Sequence, residues 1–119
     1  MIKSKKYKTQ EIKMKIYIVD IDGTICTQNI LKKDFPDYTI AEPIQERIKK
    51  INDLYENGDE VHYWTARGSV SGIDYFQLTK KQLNKWGCKY TSLRVGDKPH
   101  YDVWIDDKAV WSEEFFRFK

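Results

Sequence analysis

Cysteine, histidine, proline and glycine are all scarce in this chain: two Cys, two His, three Pro and six Gly among 119 residues. Cys26 and Cys88 are too few for a disulfide framework or a four-thiol metal site. No apolar run approaches the roughly 20 residues that a bilayer crossing needs. The lysine-rich N-terminus is followed by no apolar h-region, so no signal peptide is expected. Against these absences stand four Trp, eight Tyr and five Phe, with 40% apolar and 33% charged residues, a mixture that excludes a disordered tail. The length suits one domain that buries roughly two thirds of its unfolded surface. We expect a soluble, cytoplasmic, single-domain protein.

The net charge of +3 is unevenly spread. Residues 1 to 15 hold six lysines against one acid, Glu11, and the remaining body carries 15 basic and 17 acidic residues. Residues 1–13 therefore read as a basic leader and 14–119 as the working domain, with Met14-Lys15 a natural start for a strand-first unit. Such a leader is either a solvated tail or an arm for nucleic acid or another acidic surface.

Ile16 to Val19 is a short, β-branched apolar run ending in Asp20-Ile21-Asp22-Gly23-Thr24, the pattern of a strand buried on both faces. Residues 26 to 42 lack a period and read as an excursion or flap. From Pro43, the spacing Ile44, Ile48, Ile51, Leu54/Tyr55 predicts a helix stopped at Gly58. Glu60 to Thr65 predicts a second strand, running into Ala66-Arg67-Gly68. A second helix is expected from about Asp74 to Trp86, closed by Gly87, with Phe76, Thr79, Leu83 and Trp86 on one face. Residues 89 to 93 predict a third strand and Tyr101 to Ile105 a fourth, before a short helix of Glu113 to Phe118 capped by Ser112. Alternating strands and helices predict an α/β fold, a parallel sheet with helices on both faces.

Ligands of open parallel sheets bind beyond the carboxyl ends of the strands. Each expected strand end here is polar: Asp20 and Asp22, then Thr65, then Asp106 and Asp107, with Lys98 in the loop before the last strand. Carboxylates gathered on one sheet edge repel unless a cation joins them. Hard oxygen donors without a His/Cys cluster favour Mg²⁺ over zinc, and the cation would attract a phosphoryl group.

The order Asp20-Ile21-Asp22-Gly23-Thr24, Thr65, Lys98, Asp106-Asp107 resembles the four motifs of the haloacid dehalogenase (HAD) superfamily of phosphatases, over nearly all of Ile16 to Asp107. The resemblance implies a single Rossmann-like domain and a set of roles. Asp20 would attack phosphorus to give an aspartyl-phosphate. Asp22 would protonate the leaving oxygen and then deprotonate water. Thr65 and Lys98 would hold the transferring group. Asp106 would bind Mg²⁺ together with Asp20 and the backbone carbonyl of Asp22, while Asp107 binds through water or orients Lys98.

Other residues admit two readings. Gly23 is a turn glycine whose bend would also offer backbone N–H groups to phosphate. Thr24 is a phosphate ligand or an ordering residue. Arg67 is a substrate contact or a surface pair; as a contact, its loss should raise KM more than it lowers kcat. His62 reads as structural, His100 and Tyr101 as substrate contacts or surface, and Trp64, Trp86, Trp104 and Trp111 as core.

Most relatives in that superfamily carry an inserted cap domain. About 18 residues separate Thr24 from Pro43, and one helix and strand fill the gap from Thr65 to Lys98, so neither gap holds a unit above the ~40-residue limit for independent folding. A capless member is implied, its site open unless the flap, with Phe35 and Tyr38, or another subunit covers it. The stretch Trp64-Thr65-Ala66-Arg67-Gly68, then Leu78-Thr79, Gln82-Leu83, Trp86-Gly87, and Lys98-Pro99 through Asp106-Asp107-Lys108-Ala109 is similar to small phosphatases of bacterial surface-polysaccharide gene clusters. That implies a phosphorylated sugar or sugar-linked metabolite as substrate and no membrane partner. A polynucleotide 3′-phosphatase, whose domain has a similar compact layout, and a catalytically silent binding module are the alternatives.

Overall fold

The computed structural model describes residues 13–28 and 36–117. Three parallel strands form the sheet in the order β1 (Ile16–Val19), β2 (Glu60–Thr65), β3 (Ser92–Val95). Ile16 pairs with Glu60 and Val19 with Tyr63; His62 pairs with Ser92 and Thr65 with Val95. Helix α1 (Gln45–Glu56) links β1 to β2, α2 (Phe76–Lys85) links β2 to β3, and α3 (Ser112–Arg117) follows. The α/β class and parallel sheet stand as read from the sequence.

The two helix stripes lead to one core. Ile48 and Ile51 of α1, and Thr79 and Leu83 of α2, are buried. They share a core region with Val19, Val61 and Tyr63, the inward side chains of the alternating strands. Both helices stop where expected, at Gly58 and Gly87, with Asp59 N–H returning to the Leu54 carbonyl (3.1 Å) and Cys88 N–H to that of Leu83 (2.9 Å). Helix α3 docks through Phe115, whose ring meets Tyr17 edge-on at 6.5 Å. Phe118 lies outside the described residues.

Four expectations need correction. Helices were expected on both faces of the sheet, yet among the described residues one face is open, with Ile16 63% and Ile18 62% exposed. The cause is strand order: with the right-handed crossovers that parallel strands favour, stepping in one direction from β1 to β2 to β3 delivers both helices to the same side. The third strand starts at Ser92 instead of residue 89, because it is Leu93 and Val95, alternating with Ser92 and Arg94, that present apolar side chains inward. Tyr101 to Ile105 forms no strand; it lacks a ladder partner and leaves Ile105 93% exposed. Its aromatics stack locally instead, Trp104 edge-on to Tyr101 (4.9 Å) and to Trp64 (6.2 Å). Accordingly Trp86 is core, Trp64 is half-buried, and Trp104 and Trp111 are exposed.

The excursion after β1 has a closed neck. Cys26 bridges to both Asp22 and Pro43, and Thr27 and Glu42 exchange hydrogen bonds of 2.9 Å. Pro43 thus belongs to this neck, and α1 begins two residues later. Beyond it, Tyr38–Ile40 makes one 3₁₀ turn, started by Asp37 accepting from Thr39 N–H. Phe35 and residues 1–12 of the basic leader lie outside the described residues.

Candidate active site

The carboxyl end of β1 runs straight into Asp20, whose two oxygens are held from different parts of the chain. Lys98 Nζ, 78 positions away in sequence, donates to Asp20 Oδ1 at 3.1 Å. Thr24 Oγ1 donates to Oδ2 at 3.1 Å. Asp20 nevertheless keeps 39% of its side chain exposed. A carboxylate with fixed orientation and an open side is suited to nucleophilic attack.

Lys98 arrives because β3 ends at Val95 and is followed by Gly96, whose N–H donates to the Thr65 carbonyl at 3.0 Å. The next residue anchors the loop. Asp97 accepts from Trp64 Nε1 at 2.7 Å and from Arg94 Nε and Nη2 at 2.9 and 2.6 Å. These bonds from Arg94, then Trp64, hold the Asp97 carboxyl below its ordinary range. Lys98 also lies 5.8 Å from the centre of the Tyr101 ring.

Asp22 is gripped from the opposite side. Arg67 donates Nε to Oδ2 at 2.9 Å and Nη2 to Oδ1 at 2.8 Å, and Cys26 Sγ adds a 3.5 Å contact to Oδ1. Burial, then the charge of Asp22, pushes the Cys26 thiol up to about 12, which leaves it a neutral donor. Burial also acts against the Arg67 charge, but the bonds and charge of Asp22 outweigh it, so Arg67 titrates above its ordinary value. Thr65 is buried, and its hydroxyl accepts the Arg67 N–H at 3.2 Å, closing the turn after β2.

Asp20, Thr24 and Lys98 are therefore joined by hydrogen bonds, as are Asp22, Thr65 and Arg67. Thr24 takes the ordering role of its two readings, since its hydroxyl is on Asp20. Gly23 serves the turn: its φ of +81° is a glycine conformation, and its N–H goes to the Cys26 carbonyl (2.9 Å), not outward to a phosphate. Arg67 departs from both of its readings. Its side chain is 0% exposed, so its guanidinium neither reaches out to substrate nor makes a surface pair. His62 is structural, bridging Ser92 Oγ (2.6 Å) and Glu60 (2.8 Å). His100 and Tyr101 are exposed.

Asp106 and Asp107 sit in the exposed segment that does not pair with the sheet, and their described bonds are local, to Lys108. A hydrogen bond from the Asp107 carboxyl, then one from the Lys108 N–H, keeps the Asp106 carboxyl below its ordinary range. Among the described residues no three His, Cys, Asp or Glu side chains converge as a metal site. Asp20, with the backbone carbonyl of Asp22 two residues on, remains a hard oxygen donor beyond β1, while the strand that would deliver Asp106 is not formed.

Sequence reasoning missed Asp97, Trp64, Arg94, Thr79 and Gln82 as parts of the site's framework. Asp97 could have been found, since it precedes Lys98 in a motif already singled out. Thr79 and Gln82 stand within the stretch that is similar to the small phosphatases, but helix spacing alone reads them as core and surface.

No protein-family model matches the chain, and no curated protein does. A solved structure from Vibrio cholerae is similar to it: 27% identity, a TM-score of 0.73, and coverage of 89% of this chain and 90% of that one. The likeness supports the α/β architecture over nearly the full length and brings no activity with it.

Proposed function

We propose that this chain is a capless phosphomonoesterase of the haloacid dehalogenase type, working through an aspartyl-phosphate. The observation that carries the reading is Asp20: partly open, at a strand's carboxyl end, with Lys98 brought 3.1 Å from it across 78 positions of sequence. In the first step Asp20 forms a bond to phosphorus as the ester P–O bond breaks. Asp22 gives its proton to the departing oxygen, and later removes one from the water that opens the aspartyl-phosphate. Lys98 offsets negative charge on Asp20 and on the phosphoryl oxygens that gather beside it. Thr65 ends β2 on the same sheet edge.

Mg²⁺ belongs to the proposal on the chemistry of the donors, hard carboxylates with no His/Cys cluster. Asp20 and the backbone carbonyl of Asp22 would hold it, and when bound it would draw a phosphoryl group to this sheet edge. The proposed substrate is a small phosphorylated metabolite, a sugar phosphate or sugar-linked intermediate, handled in the cytoplasm at a site that lacks a cap domain.

The test is hydrolysis of an aryl phosphate with Mg²⁺, with chelator, and by Asp20→Asn. Turnover that needs the metal and is abolished in Asp20→Asn is expected. Full activity in Asp20→Asn would refute the nucleophile, and an inert wild type across a phosphate panel would favour a silent binding module. Including sugar phosphates and 3′-phosphorylated oligonucleotides in the panel separates the two substrate classes.

A further inference from the structure

Three aromatic rings stand beside Lys98 and are tied into the loop that carries it. Asp97 holds Trp64 and Arg94, and the Arg94 guanidinium lies over the Trp64 ring, 4.8 Å from its centre. Trp64 meets Trp104 at 6.2 Å, Trp104 meets Tyr101 at 4.9 Å, and the Tyr101 ring returns to the Lys98 ammonium at 5.8 Å. The series of contacts thus leaves from Asp97 and comes back at Lys98, its neighbour in sequence. Within it, Tyr101 and Trp104 each keep 42% of their surface open. A solitary exposed side chain such as Val103 needs no explanation. Two open rings held against the cation of a reaction site are a different case.

We infer that Tyr101 and Trp104 form the subsite for the leaving group, and that this group is a sugar ring. The inference deepens the phosphatase reading and rests on it. Lys98 Nζ is 3.1 Å from Asp20 Oδ1 and 5.8 Å from the Tyr101 centre, so one ammonium spans from the nucleophile to the aromatic ledge. A phosphoryl group drawn to Lys98 leaves the organic part of its ester at the Tyr101 ring. The rings meet nearly at right angles, 85° between Tyr101 and Trp104 and 82° between Trp104 and Trp64. A flat base stacks best on a face with a second face parallel to it, and no two neighbours here are parallel. A right-angled corner suits a puckered ring that offers C–H groups in more than one direction. Oxygen substituents leave the hydrogens of a sugar ring partly positive, and the negative face of an aromatic ring attracts them. An open-chain ester brings the same phosphate but no ring to fill the corner.

The experiment measures kcat and KM with Mg²⁺ on three esters: glucose 1-phosphate, which is locked as a ring, glycerol 3-phosphate, and adenosine 5′-monophosphate, which adds a base. The proteins compared are wild type, Tyr101→Ala, Trp104→Ala, Trp104→Phe and Val103→Ser. Wild type should favour the sugar ring over the open chain. Tyr101→Ala and Trp104→Ala should each erase about 3–10-fold of that preference through KM, the usual size of one aromatic contact. Trp104→Phe, which keeps a ring face, should restore most of it, and Val103→Ser should leave it unchanged. No preference in wild type, a preference that survives both alanine variants, or one lost through kcat would overturn the inference and leave the phosphatase reading in place. So would a larger KM penalty on adenosine 5′-monophosphate than on glucose 1-phosphate, because the ledge would then hold a base. A wild type that hydrolyses none of the three would remove the reading and the inference together.

Discussion

At the residue scale, the site depends on side chains whose charge state is set by what surrounds them. Lys98→Ala removes the cation that faces Asp20 Oδ1, and we expect kcat to fall by about 100-fold or more while the fold persists. Steady-state kinetics beside thermal melting checks it; an unchanged kcat would remove Lys98 from the reaction. The thiols give a second prediction. Burial pushes both Cys26 and Cys88 up to about 12 from an ordinary value of 9.0. The unfolded chain therefore releases these protons first, so stability is full below about pH 9 and is lost as pH rises toward 12. Each thiol contributes a slope of up to about 1.4 kcal/mol per pH unit. Urea midpoints measured from pH 8 to 11 should fall less steeply for Cys88→Ala than for wild type.

At the scale of elements, the turns between strand and helix aim the reactive groups. Gly68 follows Arg67 with φ +87°, and a Cβ there would meet the Ile73 carbonyl oxygen at 2.1 Å. Gly68→Ala should cost about 1–3 kcal/mol from the backbone alone, with the clash added to it. The turn that sets Arg67 would shift as well, so chemical denaturation and kcat/KM should change together. The β3–Lys98 loop is the counterpart. Asp97→Ala removes bonds to Trp64 and Arg94 that are exposed to solvent, so stability should change by less than about 1 kcal/mol. Lys98 loses its anchor all the same, and kcat/KM should drop several-fold. A large loss of stability with intact kinetics would show that Asp97 serves the sheet and not the site.

For the molecule as a whole, the one-sided sheet makes a sharp contrast between its faces. Ile51 is fully inside, and Ile51→Ala should cost about 2–5 kcal/mol. Ile18→Lys, on the open face, should stay within about 0.5 kcal/mol of wild type. Denaturation midpoints for the pair decide it: a large cost at Ile18 would mean that this face is covered in solution.

Much of this architecture is already written in the order of residues. Three strands, three helices and the helix stops follow from apolar spacing and from glycine, because those are local signals, and Asp20 and Lys98 stand out as polar residues at strand ends. What the chain's order could not decide was which groups face each other once the crossovers close. The fate of Arg67 hung on where α2 brings Thr79 and Gln82, 12 and 15 positions further on, and whether a guanidinium is buried is a property of its neighbours. Tyr101 to Ile105 reads as a strand by composition, but a strand exists only where another backbone accepts its hydrogen bonds, and partner choice is a matter of three-dimensional packing.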